Sequence, residues 1–342
     1  MTLSLISIGL NDEKDLSIRA LEEARSCEKL YAELYTMKLA TTLAALSELT
    51  RRPITLLPRG DLEELSDNIL TEAQEKRIGV LIGGDCLSAT THISLLLDAT
   101  KKGIKTRVIH GSSIFSAVAE TGLSLYKFGK TVTMPLPEKG PADTVVRGIE
   151  ENLSQGLHTL ILLDLDNEAD RYMTVKAALE TLIAEKAVTP DTLIIGAARI
   201  GRENQLIKAG KAVDVVDYTF GDPPQILVIP GSLHFLEEDA LNTIAGCPPE
   251  ILKGRIVKPE IDRLIDKYIT SCRRVRETLT TVNPPPTPTA ADIQNILDHI
   301  DRYLADAEYY RTEKKPTALT SIAYSEGILE ALKLLGLVDF EW

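Results

Sequence analysis

Four short loops in this chain bring small residues together with groups that can meet a ligand: Gly9-Leu10, Gly83-Gly84-Asp85, Gly111-Ser112-Ser113 and Ala198-Arg199. Each follows an apolar run that reads as a strand. In open α/β sheets, ligands bind beyond the carboxyl ends of the strands. Glycine there lets backbone approach a ligand closely. An acidic neighbour can bind ribose hydroxyls or a positive centre. Taken singly, each loop is more often an ordinary tight turn; the four together point to a site.

Other chemistries are excluded by what is missing. Leu10-Asn11 follows Gly9, so the first strand lacks the G-x-G-x-x-G of a dinucleotide site. There is no G-x-S-x-G, which argues against an α/β-hydrolase. Ser124 to Thr131 (SLYKFGKT) approaches the phosphate-binding P-loop, but Ser124 stands where the first glycine is needed and a strand-like run follows. A nucleotide hydrolase built on it is the weakest reading. His92, His110, His158, His234 and His299 include no i, i+4 pair, and Cys27, Cys86, Cys247 and Cys272 form no C-x-x-C, so no metal site is expected. His92 reads equally as a polar residue at a helix start or as a site residue. The cysteines read as free thiols.

The elements that position these loops follow from periodicity. Leu3–Ile8, Leu30–Leu34, Ile54–Leu57, Ile78–Ile82 and Ile104–Ile109 read as strands. Helical spacing is expected over Asp15–Cys27, Met37–Leu49, Leu62–Lys76 and Ser88–Thr100, with a short helix within Gly111–Thr121. Continuous apolar strands alternating with helices imply a mainly parallel sheet covered on both faces. Gly122 to Pro137, with Gly129, Pro135 and Pro137, reads as a linker. A second block follows, with strands at Thr159–Leu163, Thr192–Ala198 and Ile226–Ile229 and helices at Thr174–Glu185 and Leu236–Ile244. Beyond Gly246 the character changes. Cys247-Pro248-Pro249 and Lys258-Pro259 bracket a linker, and Pro284-Pro285-Pro286 with Pro288 make a stiff connection. Three amphipathic stripes run through Ile261–Val275, Ile293–Ala307 and Ile322–Leu335 and predict a small helical unit.

The 342 residues suffice for two or three domains. Aromatic residues are only 5%, so the cores must be mainly aliphatic. A net charge of -12 repels phosphate backbones and argues against broad nucleic-acid binding. Met1 to Leu10 is apolar but lacks a basic start and a cleavage site, and reads as a buried strand rather than a signal peptide. No apolar run is long enough to span a membrane.

At Gly83-Gly84-Asp85-Cys86-Leu87-Ser88-Ala89-Thr90-Thr91-His92 the chain resembles the G-D-P-x-x-A-T-T-H segment of the diphthine synthases, methyltransferases of the tetrapyrrole-methylase-like class. Ile8-Gly9-Leu10, Ala32-Glu33-Leu34-Tyr35-Thr36, Ser113-Ile114-Phe115-Ser116-Ala117-Val118, Tyr126-Lys127-Phe128-Gly129-Lys130, Gly156-Leu157-His158, Tyr172-Met173-Thr174 and Gly221-Asp222-Pro223-Pro224 are similar to the same family. The resemblance covers about residues 2–252. Residues 258–338 look similar to a small archaeal helical domain of unknown function, which implies an archaeal source.

The resemblance implies two α/β domains of the tetrapyrrole-methylase type, residues 1–124 and 125–252, with the cofactor cleft between them. A small all-α domain, 259–342, follows. It implies a cytoplasmic, homodimeric enzyme that uses S-adenosylmethionine to trimethylate the amino group of the modified histidine of translation elongation factor 2, giving diphthine. It implies donor contacts at Leu10, Asp85, Ser88, Ser113, Ile114, Leu163, Ala198 and Gln225. Cys86 departs from the family's usual proline, and Gln225 from a frequent histidine. No base is assigned; water, Asp164 or Asp222 could take the proton from the amine. The rival readings are a corrinoid or tetrapyrrole methylase of the same fold, and a non-catalytic scaffold in which Cys86 has spoiled the donor site. The helical domain is as readily an extra dimerisation element as a docking surface.

Overall fold

The computed structural model describes residues 1–58, 67–253, 288–311 and 314–340. The chain forms two compact units, Met1–Pro259 and Glu260–Trp342. The first unit holds two five-stranded sheets.

The first sheet takes β1 (Thr2–Ser7), β2 (Lys29–Glu33), β3 (Ile54–Leu56), β4 (Arg77–Ile82) and β5 (Lys105–Ile109) in the order β3-β2-β4-β1-β5, every pairing parallel. Its inner strands β1, β2 and β4 are buried on both faces because both are covered, while the edge strands β3 and β5 stay partly exposed. Leu3, Leu5, Ile78 and Val80 pack in one core with Ile69, Leu70 and Ala73 and with Leu95 and Ala99. Ile6, Ile8, Leu30 and Leu81 pack in another with Ala20, Ala24 and Leu46. The covering helices are α1 (Ile18–Ser26), α2 (Leu43–Thr50), α3 (Asp67–Glu75) and α4 (Ile93–Lys101). Ser17 and Thr42 cap α1 and α2, accepting the N–H groups of Ala20 and Ala45. A short α5 (Ile114–Ala117) follows β5.

The second sheet takes β6 (Val132–Met134), β7 (Thr159–Leu163), β10 (Leu193–Ala198), β11 (Leu206–Lys211) and β12 (Gln225–Ile229) in the order β11-β10-β12-β7-β6. A small hairpin, β8 (Leu165–Asp166) with β9 (Arg171–Tyr172), leaves β7. Its helices are α6 (Asp143–Ser154), α7 (Val175–Ala184), α8 (Ala212–Val215), α9 (Phe235–Thr243) and α10 (Pro249–Leu252).

This sheet departs from the parallel expectation. Only β6 and β7 pair in parallel; β10 runs antiparallel to β11 and β12, and β12 antiparallel to β7. The loop from β10 to β11 is too short for a crossover, so the chain must turn back as a hairpin. Residues 122–137, expected as linker, contribute β6, with Val132 and Met134 buried and Thr133 exposed. Helix α2 starts at Leu43 and α4 at Ile93, later than the spacing suggested, because residues 36–41 and 86–92 are irregular loops.

The second unit contains α11 (Ala290–Tyr310) and α12 (Lys315–Leu334), which pack on one another through Ile300, Ala307, Ala318 and Leu332. Thr289 and Asp292 form a reciprocal capping box at the start of α11. The stripe Ile261–Val275, Cys272, the Lys258-Pro259 and Pro284–Pro286 segments, and the first turn of the helix expected from Leu62 lie outside the described residues.

Candidate active site

Three loops at the carboxyl edge of the first sheet are stapled together. Gly9 and Gly84 exchange backbone hydrogen bonds, Gly84 N to Gly9 O at 2.8 Å and Gly9 N to Gly84 O at 3.2 Å. Both glycines have positive φ, +109° and +68°. A Cβ on Gly9 would sit 2.5 Å from Cβ of Asp15, so that position requires glycine on two grounds. Asp15 in turn holds the turn after β1, its Oδ2 accepting the N–H groups of Leu10 and Asn11 at 2.9 and 2.7 Å.

Asp85 is 7% exposed and every bond it makes is internal. Its Oδ1 accepts Leu87 N at 3.0 Å and Ser88 Oγ at 3.2 Å. Its Oδ2 accepts His110 Nδ1 at 2.8 Å and Gly111 N at 3.2 Å. Burial alone would push its carboxyl up. The N–H groups of Leu87 and Gly111 and the His110 ring outweigh burial and hold it below the usual carboxylate range. Asp85 therefore stays ionised and fixes the loops after β4 and β5 to each other.

Cys86 is fully buried, and its N–H donates to Ser7 Oγ at 2.9 Å, a bond that proline could not make. The carbonyl of Cys86 accepts Thr90 Oγ1 at 2.8 Å and faces His92 Nδ1 at 3.2 Å. The departure from proline thus leaves a loop pinned by three side chains. Burial pushes the Cys86 thiol up, so it is not a nucleophile. Ser7→Ala is expected to cost about 1–3 kcal/mol, because it leaves a buried N–H without its acceptor. Urea unfolding reads this directly, and an unchanged midpoint would contradict it. His92, 3% exposed, also approaches Glu33 at 3.9 Å and serves the loop from inside. Glu33 accepts Tyr35 N at 2.9 Å and Thr36 N at 2.7 Å and shapes the turn after β2.

The second sheet faces these loops with the carboxyl end of β7, the end of β10 and the start of β12. The antiparallel course of β12 puts Gln225 opposite Ala198. The Gln225 amide is spent within the protein: Oε1 accepts Val175 N at 2.9 Å and Nε2 donates to Gly221 O at 2.7 Å. Arg199, 7% exposed, donates to the carbonyls of Asn204, Phe220 and Asp222 and ties the Gly221–Pro224 turn to β10. Asp164 accepts Leu136 N, Leu165 N and Lys139 Nζ, the last at 2.9 Å.

Between the sheets lies a cavity of about 260 Å³. Leu10, Asp85, Ser88, Ser113, Ile114, Leu163 and Gln225 all line it. Ala198 does not. Successive side chains of a strand point to opposite faces, so Ala197 and Arg199 reach the cavity while Ala198, 1% exposed, packs into the helix-covered core. Asp164 lines the cavity, but Asp222 does not. Residue-level reading missed Met37, Thr133 and Ile200 on the wall. Thr133 was hidden by the linker-like Pro135 and Pro137. Met37 was hidden by a helical reading of its loop.

Two contacts close the rim from the second sheet to the first. Asn167 Nδ2 donates to the carbonyls of Leu34 at 2.6 Å and Met37 at 3.0 Å. Arg202 donates to the carbonyls of Leu10 and Lys38. The Ser124–Thr131 segment offers no phosphate nest. Its Lys127 is committed to Glu237 and, at 2.6 Å, to Ser232 O. Among the described residues no group of side chains could hold a metal ion.

The cleft is thus shaped mainly by backbone and apolar side chains, with its carboxylates already occupied by protein donors. Among the described residues it holds no cysteine on its wall, and it suits binding and orientation more than covalent catalysis. The Tetrapyrrole (Corrin/Porphyrin) Methylases family model matches residues 2–215. A second model, for a protein of unknown function (DUF357), matches residues 267–338. The chain is 41% identical over 257 residues to a diphthine synthase of Methanocella arvoryzae, covering 71% of this chain and 98% of that protein. It is also 41% identical to a diphthine synthase of Methanocaldococcus jannaschii, covering 70% and 97%. A crystal structure of diphthine synthase superimposes with a TM-score of 0.70 at 36% identity, covering 74% of this chain and 99% of that one. On the matching model, these relatives and the shared architecture, the chain belongs to the diphthine synthase family and is a methyltransferase.

Proposed function

We propose that the cleft binds S-adenosylmethionine and that the enzyme transfers its methyl group, in successive rounds, to the amino group of the modified histidine of translation elongation factor 2. The single observation that carries this reading is the stapled Gly9–Gly84–Asp85 floor facing the β7, β10 and β12 ends across one cavity. The proposed donor contacts are Leu10, Asp85, Ser88, Ser113, Ile114, Leu163 and Gln225 through their side chains or backbone. Ala198 contributes only as backbone beside Ala197 and Arg199.

The residues fit such a donor. Leu10, Ile114, Leu163 and Ile200 offer apolar surface, and the glycine floor lets a ligand approach the main chain. Among the described residues no thiol stands on the wall to be methylated, since Cys27, Cys86 and Cys247 are all buried away from it. S-adenosylmethionine supplies an already activated methyl group. The protein's work is then to hold the acceptor nitrogen about 3–3.5 Å away, in line. Asp85 and Asp15 keep the floor in shape. Arg199 and Gln225 keep the opposite wall. Asn167 and Arg202 hold the rim.

Action in the cytoplasm and a homodimeric state belong to the same proposal and rest on the family resemblance. Among the described residues no helix is long and apolar enough to cross a membrane. The test is incubation with S-adenosylmethionine and archaeal elongation factor 2 carrying the unmethylated precursor, read by mass spectrometry of the histidine peptide. Successive methyl additions on that peptide are expected. Methylation of a corrin precursor instead, with the peptide unchanged, would overturn the reading.

A further inference from the structure

Methyl transfer from a sulfonium to an amine moves a positive charge from sulfur to nitrogen. A cleft that runs this reaction gains from an anion placed where nitrogen becomes cationic, provided the anion is fixed beforehand and shielded from water. Among the described residues, the charged side chains on the cavity wall are Asp85, Asp164 and Arg199. Arg199 has the wrong sign, and its guanidinium is spent on three carbonyls. The Asp85 side chain is 8% exposed and serves as the tie between two loops.

Asp164 is placed differently. It continues β7 by one residue, its N–H donating to Met134 O at 3.1 Å. Side chains alternate along a strand, so Asp164 shares the cavity face with Leu162, and Thr133 of β6 lies opposite Leu162 on that face. The wall around it is apolar, with Leu162, Leu163 and Leu165, and a charge acts more strongly there than in open water. The N–H groups of Leu165 and Leu136 fix its two oxygens, Oδ1 at 2.8 Å and Oδ2 at 3.2 Å. The carboxylate also holds Lys139 Nζ, 3.1 Å from Oδ1 and 2.9 Å from Oδ2. Lys139 ends the single turn Pro137–Lys139, its side chain is 34% exposed, and Leu165 O lies 3.4 Å from the same nitrogen. A primary alkylammonium therefore already sits astride both oxygens. The acceptor presents the same chemical group and can take that place while Lys139 turns to Leu165 O and water.

We propose that Asp164 is the counter-charge of the acceptor nitrogen, an assignment that rests on the methyl-transfer reading of the cleft. The ammonium gives its proton to water, and the resulting amine donates an N–H to the carboxylate. The nitrogen lone pair forms the new bond to the methyl carbon, while the electron pair of the carbon–sulfur bond leaves with sulfur. The positive charge that appears on nitrogen lies beside Asp164, which stabilises it as it develops. The first two ammonium products keep an N–H for the carboxylate. The quaternary product has none, which eases its departure after the last round.

The test measures initial rates of methyl transfer to archaeal elongation factor 2 carrying the unmethylated precursor, with donor affinity by calorimetry. Asp164→Asn keeps the shape and an acceptor oxygen but removes the charge. Its donor affinity is expected to stay within about threefold, while kcat/KM for the elongation factor falls about 10²-fold, the size of losing one preorganised electrostatic contact. Lys139→Met is the control for a carboxylate that only anchors its turn. It breaks the same ion pair and leaves Asp164 charged, and its kcat/KM is expected to match or exceed that of wild type. Wild-type turnover in Asp164→Asn, a loss of donor affinity as large as the loss of turnover, or an equal loss in Lys139→Met would overturn the assignment while leaving the function standing. A wild type that binds the donor but transfers no methyl group to this acceptor would overturn both.

Discussion

Asp85→Ala is expected to weaken binding of S-adenosylmethionine about 100-fold while leaving both sheets folded. The carboxylate is the shared post of two loops. Removing it takes away the acceptor for Leu87 N, Ser88 Oγ, His110 and Gly111 N together. Each hydrogen bond to a charged group is worth roughly 1.5–3 kcal/mol, and 1.4 kcal/mol is a factor of ten in affinity. Loss of two such ties is enough for the stated effect even if water replaces the others. The fold survives because the cores beneath are aliphatic and independent of Asp85. Asp85→Asn keeps the size and one acceptor oxygen and should fall between. Calorimetry with the circular dichroism spectrum of each variant measures this, and an unaltered Kd for Asp85→Ala would contradict it.

The largest stability effect is expected far from the cleft, at Glu237. This carboxylate is 1% exposed and receives Lys127, His158 Nε2 at 3.2 Å, Ser124 N at 2.9 Å and His234 N at 2.8 Å. Burial alone would push its carboxyl up. The Lys127 ammonium, the His234 and Ser124 N–H groups and the His158 ring outweigh burial and bring it down to about 2. Glu237→Ala strands a half-buried ammonium and should cost about 3–5 kcal/mol. For a unit of this size that is a fall in Tm of roughly 10 °C. Urea or thermal unfolding reads it, and a change below about 2 °C would refute the account.

The same cluster makes the protein acid-sensitive, and the sign can be worked out. A carboxyl with a lowered folded pKa contributes stability above its unfolded value, 4.5, which is lost as pH falls toward about 2. Burial lowers the His158 ring below its ordinary 6.5, so the unfolded chain binds the extra proton first. Both effects destabilise the folded state on acidification, the histidine beginning below about 6.5 and the glutamate below about 4.5. Glu237→Gln should remove the lower stage and keep the upper one.

What was legible in the chain was whatever depends on local pattern. The apolar runs gave eight strands within a residue or two of where they lie; six of them, β1, β2, β4, β7, β10 and β12, are nearly continuously buried, while the edge strands β3 and β5 are partly exposed. β11 was not legible: Leu-Ile-Lys-Ala-Gly-Lys is too polar to stand out and is held by its hairpin partner β10. β6 was masked by flanking prolines, and α6 by Gly148, which is needed because Val132 packs against it. The late start of α4 comes from the Thr90 and His92 side chains bonding back to Cys86 O, a competition with the helix that spacing does not register.

The site divides along the same line. The glycine loops after β1, β4 and β5 were legible as glycine at strand ends. The opposite wall required the antiparallel course of β12, which brings Gln225 beside the end of β10, and no local pattern encodes that. The pairing of Asp85 with His110 and of Lys127 with Glu237 joins segments far apart in sequence. Charge patterning along the chain does not reveal which carboxylate is already occupied. Asp164 reads in the sequence as a possible base; it lines the cavity, and its carboxylate accepts the N–H groups of Leu136 and Leu165 and the Lys139 ammonium.

The most direct test of the central claim is titration of S-adenosylmethionine into the wild-type protein by calorimetry, repeated with the cleft already filled by S-adenosylhomocysteine. Saturable binding with micromolar affinity, about -8 kcal/mol, abolished by the competing product, is the result expected of a donor cleft between the two sheets. No measurable heat with a correctly folded protein would contradict it and leave the fold without the chemistry assigned to it.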